Sequence, residues 1–274
     1  MEKQSQKKSL TILGIVVAVL LAGIILSPKA VHHESIKEAM RDAVLHTENK
    51  ISLLGLSVNP SLISAFAVTG ILLLFALLVR ILFIPRMKMV PGKFQILLEE
   101  WVGFFRNLAE ENSPHLNGFL GIYLFVAGTY IFIGTLFELF GIQAITTTGS
   151  SISLPAPLAD INGAIAMGCL SYGVILSGGI RANKLKGIGL TLKEFSLPIS
   201  MSFRLFGALL SGMLVTELVY YYITLSFILP VVVGVLFTAL HALIQTYVLT
   251  MLTSYYYGEV SEVHSSKKVK NQKG

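Results

Sequence analysis

Charge is what this chain has least of. Only 13% of its 274 residues are Asp, Glu, Lys or Arg, against 54% hydrophobic, and the mean hydropathy is +0.73. Soluble domains carry roughly 25% charged residues. Half that fraction leaves too little polar surface for a water-soluble globule of this length, which excludes a soluble enzyme, a disordered chain and a nucleic-acid-binding domain. Cysteine is nearly absent too: the one thiol, Cys169, rules out a disulfide framework and a cysteine-clustered metal centre. His32-His33-Glu34 lacks the His-Glu-x-x-His spacing of a zinc helix, and neither a phosphate-binding Gly-rich loop nor a Gly-x-Ser-x-Gly elbow occurs. No cofactor or metal is called for, and the chain is not catalytic on its own. The net charge of +6 therefore reads as a topology signal before it reads as affinity for a polyanion. The composition is that of an integral membrane protein.

What is present is a series of apolar runs near the length, about 20 residues, that a helix needs to cross the hydrocarbon core. Leu10 to Leu26 is uncharged and follows Lys3, Lys7 and Lys8, so residues 1–30 read as either a cleaved signal or a retained anchor helix. Residues 29–50 are polar and helix-patterned, within an outer-face amphipathic segment over 31–60. Lys29, Lys37, Arg41 and Lys50 are balanced there by Glu34, Glu38, Asp42 and Glu48. Asn59-Pro60 marks a turn, after which a span runs from about Ser61 to Phe83, with Arg80 placed to snorkel to the interface.

Residues 94–112 mix Trp101, Phe104 and Phe105 with Glu99, Glu100, Arg106 and Glu110, the pattern of an interfacial amphipathic helix. Gly118 to Phe137 is the next span, Ile142 to Pro157 a loop rich in Thr, Ser and Pro, and Ile161 to Ile180 a further span. Arg181 to Gly189 is a basic connector. From Phe195 to Gly258 only Arg204 and Glu217 are charged, and Pro230 divides the stretch into two helices of about 30 residues, long enough to require strong tilt. The predicted fold is all-α, with five membrane-embedded helices besides the N-terminal one. The period-2 alternation of barrel strands is absent.

Basic residues fix the orientation. With alternating spans, one side receives Lys3, Lys7, Lys8, Arg86, Lys88, Lys93, Arg181, Lys184, Lys186 and the tail lysines 267, 268, 270 and 273. The positive-inside rule puts these, and the basic tail 265–274, in the cytoplasm.

Arg204 is the anomaly. An arginine at mid-membrane costs roughly 2.5–3.5 kcal/mol on insertion scales, and arginine side chains stay protonated in proteins. Either it bridges a buried acid (Glu217, Glu138 or Asp160) or it is a fixed cation that meets an ionisable group in an ion path. A buried bridge is a poor stability device once desolvation is counted. Ser200, Gly207, Ala208, Ser211 and Gly212 stand at offsets −4, +3, +4, +7 and +8 from it, on the same helical face. Such a small-residue stripe lets a second helix approach closely. Thr238, His241 and Gln245 form a polar stripe on the last helix. Glu217, about 20 Å along the axis from Arg204, is placed to line an entry route. Asp160 and Asn162 open a span, where a carboxylate serves capping as readily as ion conduction.

Over residues 61–264 these features resemble the subunit a family of rotary ATP synthases. Ser200-Met201-Ser202-Phe203-Arg204-Leu205-Phe206-Gly207 is similar to the family's segment around its essential arginine. Leu240-His241-Ala242-Leu243-Ile244-Gln245-Thr246-Tyr247 is similar to the last-helix block whose glutamine faces that arginine. Val90 to Gln95, Pro157 to Asn162, Lys186 to Gly189 and Ser261 to His264 also fit, in order. The resemblance implies a stator subunit whose last two helices form a tilted hairpin against a ring of c subunits. Two aqueous half-channels would reach a ring carboxylate from opposite sides of Arg204, and proton or sodium flow would turn the ring and drive ATP synthesis. It further implies b subunits of a peripheral stalk, the remaining complex and lipid as partners, in a bacterial inner membrane. The family commonly has asparagine at the position of Ala208, an acid at Met213, and glutamate or histidine at Thr238. Glu217 and His241 are the candidate replacements. The rival expectation is a stand-alone transporter in which Arg204 binds an anionic substrate.

Overall fold

Hydrocarbon offers backbone amides no partner, so apolar runs close their hydrogen bonds internally as helices. The computed structural model describes residues 51–53, 56–115, 117–145, 147, 149, 151–221 and 229–262. The signal or anchor segment 1–30, the polar stretch 31–50 and the basic tail 265–274 lie outside them. Among the described residues a short hairpin, β1 (Ile51–Leu53) and β2 (Leu56–Val58), precedes α1 (Pro60–Leu78). That helix continues through a π turn, Val79–Phe83, and a 3-10 turn, Ile84–Arg86. Next come α2 (Lys93–Asn112), α3 (Asn117–Leu136), β3 (Gln143–Ile145), β4 (Ser151–Ser153) and α4 (Ile161–Asn183). The series ends with α5 (Leu185–Lys193), α6 (Ser196–Tyr221) and α7 (Leu229–Ser261).

Among the described residues, four stretches are long and apolar enough to cross a membrane: Pro60–Arg86, Asn117–Phe140, Ile161–Asn183 and Val231–Ser261. The bent pair of α5 with Ser196–Gly212, at 49°, makes a fifth if counted as one broken span. This is a multi-pass, all-α membrane protein, and Pro230 sits in the first turn of α7 as expected of a helix start.

Three expectations are corrected. The Ile142–Pro157 loop contains the antiparallel pair β3–β4, with Gln143 opposite Ser153. Two three-residue strands pair there on either side of Gly149 at φ 83°. The stretch before Asn59 likewise holds the β1–β2 pair. The basic connector after α4 is mostly helix: the reversal is completed at Lys184 (φ 52°), and α5 begins at once.

α2 also departs from a purely interfacial helix. Phe105, Leu108 and Ala109 are buried in protein rather than left to lipid. α2 packs against both α3 and α7. Trp101 Nε1 donates to Thr129 Oγ1 at 3.0 Å, and Ser254 Oγ of α7 donates to the Leu108 carbonyl at 2.8 Å. Its outer face carries Arg106 and Glu110, 2.7 Å apart. The hydrogen bond to that carboxylate and its charge raise the Arg106 pKa, but an exposed pair of this kind adds little stability.

The core lies among α3, α4 and α7, with α6 resting on α4 and α7. Phe105, Leu124, Ile131, Ile175, Met201, Leu205 and Tyr257 are fully buried there. Between membrane helices, small residues permit close approach. At Gly128 an added Cβ would strike the Phe105 ring, and at Gly178 it would strike the Tyr257 ring. These two contacts fix the distance of α2 from α3 and of α7 from α4, and so position the seam where α6 meets α7.

Candidate functional site

α6 has two faces. Leu197, Met201, Leu205 and Leu209 recur every four residues and are buried. Ser202 Oγ back-bonds to the Pro198 carbonyl at 2.6 Å, beside Gly168 of α4. With that face committed to the bundle, Ser200, Arg204, Gly207 and Ser211 are exposed, and Ala208 and Gly212 half-buried. The sequence stripe is thus a real surface. Nothing lies within 4 Å of the position a Gly207 Cβ would take. Ser211 Oγ turns back to the Ala208 carbonyl at 2.8 Å, so the stripe stays smooth.

α7 brings the partner groups. Ala242, Gln245, Thr246, Leu249, Thr250 and Thr253 are buried, with Gln245 only 6% exposed. Met201, Arg204 and Leu205 of α6 and Gln245, Val248, Leu249 and Leu252 of α7 line one narrow cleft. Farther along, a Gly212 Cβ would stand 3.4 Å from His241 Nδ1. Rising numbers on α6 meet falling numbers on α7, so the two helices pack antiparallel. His241 also lies 5.9 Å, centroid to centroid, from Phe237, and Thr238 is half-buried one turn before it.

Among the described residues no carboxylate compensates the charge at this seam. Arg204 forms no hydrogen bond or ion pair among the described residues, and neither Glu138 nor Asp160 reaches it. The Gln245 amide likewise has no hydrogen-bond partner among them. A guanidinium with five donors and a buried amide thus border one cleft, beside a surface with almost no side-chain relief. The arrangement can receive a carboxylate carried on another helix. Glu217 lies on α6 toward its far end, and its side chain falls outside the described residues.

Asp160 is elsewhere. It is the N-cap of α4, its Oδ1 accepting from the Asn162 backbone amide at 2.9 Å and from Asn162 Nδ2 at 3.2 Å. Asp160 Oδ2 accepts from Asn59 Nδ2 at 2.8 Å. Asn59 itself caps α1, its Oδ1 accepting from Ser61 N at 3.1 Å. Two helix N-termini are therefore stapled through one amide and one carboxylate, a link that sequence reasoning missed. The Asn59-Pro60 pair carried the signal, since a capping residue followed by proline announces a helix start. Also missed was the anchoring of the α7 end. Asn183 Nδ2 donates to the Val260 and Glu262 carbonyls at 3.0 and 2.9 Å, and His115 Nε2 to the Ser261 carbonyl at 2.9 Å. Among the described residues no cluster of His, Cys, Asp or Glu could hold a metal.

Comparison with known proteins gives this geometry a context. A family model described as ATP synthase A chain matches residues 63–258. An ATP synthase subunit a of Cereibacter sphaeroides is 26% identical over 184 residues, covering 62% of this chain and 70% of its own length. One from Histophilus somni is 28% identical over 206 residues, covering 61% and 76%. An "ATP synthase subunit a, sodium ion specific" of Propionigenium modestum is 23% identical over 246 residues, covering 84% and 83%.

Proposed function

Because the chain belongs to the ATP synthase A chain family, as an ion-translocating stator subunit that works with the rest of that complex, we propose that Arg204 is the fixed charge of its ion path. The observation that supports this is a guanidinium with no ion-pair partner among the described residues, beside the buried Gln245 amide and a stripe of small residues on α6. An opposite charge nearby favours the ionised form of a carboxyl group. As each carboxylate of a c-subunit ring passes the α6–α7 hairpin, Arg204 holds it ionised, then yields it to the next half-channel. The same cation blocks direct leakage between the two half-channels, so ions cross only by turning the ring.

In this reading Ser200, Gly207, Ala208, Ser211 and Gly212 form the rotor-facing track. Gln245 orients the guanidinium, and His241 and Thr238 supply polar groups to one half-channel. Glu217 lines the approach from the outer side. Asp160 and Asn162 act at the α4 N-terminus through the capping bonds rather than in the path. Protons and sodium ions are both served by such a fixed cation, the choice lying with the groups around the ring carboxylate. The distribution of basic residues supports a cytoplasmic C-terminus, and b subunits of the stalk complete the stator. A stand-alone transporter has no place once the family is known.

The test is Arg204→Ala in the assembled complex. Membrane insertion and copurification with the ring and the ATP-hydrolysing subunits should persist, while ion-driven ATP synthesis disappears. Normal coupled synthesis in that variant would overturn the assignment.

A further inference from the structure

Between α1 and α2 the chain turns around an open cavity of about 480 Å3, lined by Arg86, Lys88 and Lys93 together with Phe83, Met87 and Phe94. It lies some distance along the chain from the α6–α7 seam, and the ion path makes no use of it. Its shape is held by side chains. Lys88 N donates to Gln95 Oε1 at 3.2 Å, and Gln95 Nε2 donates back to the Lys88 carbonyl at 3.1 Å. The Phe83 and Phe94 rings close one wall with centroids 4.5 Å apart.

The charge in the cavity is of one sign. Arg86, Lys88 and Lys93 are exposed and have no carboxylate partner among the described residues. The acid that comes near, Glu99, is engaged by Gln95 Nε2 at 2.7 Å. The cavity also sits where a membrane span ends. Pro60–Arg86 is long and apolar enough to cross, and Ile81, Leu82, Phe83 and Ile84 on its last turns are exposed. Cations below an apolar wall at the end of a span match one kind of ligand, a phosphate diester with acyl chains attached, and basic pockets at this level bind anionic headgroups. The uncapped N-terminus of α2 at Gly92 adds a favourable dipole, but the cations and the cavity carry the assignment.

We propose that this cavity binds the phosphate of an anionic phospholipid, with Arg86, Lys88 and Lys93 on the headgroup and Phe83 against the chains. A free phosphate would gain from the cations but not from the apolar wall.

The full chain in detergent, titrated with phosphatidylglycerol and with phosphatidylcholine and read by native mass spectrometry, tests this. Phosphatidylglycerol should bind roughly tenfold more tightly. The preference should vanish in the triple variant Arg86→Gln, Lys88→Gln, Lys93→Gln and persist in Arg86→Lys with Lys93→Arg. Should the triple variant lose its helical circular dichroism, Lys93→Gln alone should lower the preference severalfold. Equal affinity for the two lipids, a preference that survives neutralisation in folded protein, or displacement of the lipid by millimolar inorganic phosphate would each overturn the proposal.

Discussion

Gln245 is buried at the edge of the cleft that also holds the exposed Arg204, one residue on each of two antiparallel helices. The amide is buried while the guanidinium is reachable from outside, so in the proposed mechanism the first positions and the second acts. The two groups make no hydrogen bond in the subunit alone; in the proposed mechanism the amide bonds the guanidinium as a carboxylate passes, and a hydrogen bond to a charged group contributes about 1.5–3 kcal/mol. Gln245→Leu, which keeps the volume and removes the amide, should therefore slow ATP-driven ion pumping in inverted vesicles by about tenfold or more without loss of assembly. An unchanged pumping rate would remove Gln245 from the site.

Asp160 offers a sharper division between structure and transport. Losing an N-cap side chain costs about 1 kcal/mol, and the Asn59 link is lost with it. Asp160→Ala should lower the thermal midpoint of the purified complex. Asp160→Asn retains an acceptor for the Asn162 amide and should keep pumping near the wild-type rate. A pumping defect in Asp160→Asn at undiminished thermal stability would return this carboxylate to the ion path.

The α2–α3 seam depends on Phe105 lying over Gly128. Emptying a ring-sized site destabilises by about 3 kcal/mol or more in water-soluble cores. Lipid reduces the transfer part of that loss but leaves the cavity part. Phe105→Ala should lower the unfolding midpoint in detergent clearly, and Gly128→Val should do so more strongly, because the branched side chain meets the ring with no room to yield. Equal stability in Gly128→Val would show that the seam opens without cost.

Lys184 adopts φ 52° between α4 and α5, a conformation L-residues rarely hold. Such positions store of the order of 1–3 kcal/mol. Lys184→Gly should stabilise the fold by about 1 kcal/mol after the added chain entropy is offset, read as a higher thermal midpoint. A fall would mean the lysine side chain contributes more than its backbone costs.

The long helices were legible because a 20-residue apolar run has few other solutions in a bilayer; α3, α4 and α7 begin and end within a few residues of expectation, and α6 begins there too, while its expected end near Pro230 lies beyond Tyr221, outside the described residues. The stripe from Ser200 to Gly212 was legible for a similar reason: helical periodicity alone places those residues on the Arg204 face. The two hairpins were not, since three-residue strands such as Gln143–Ile145 leave no periodic trace. Nor was the burial of α2, because an amphipathic pattern states which side is apolar and not whether lipid or protein covers it. The Asn59–Asp160 link joins residues 101 positions apart, and no local rule reaches that far.

Trp101 is the one tryptophan in the chain, and its indole donates to Thr129 between α2 and α3. The protein therefore carries a built-in optical gauge. Any shift in its ultraviolet emission reports on that single junction, free of interference from a second fluorophore of the same kind and with no label attached.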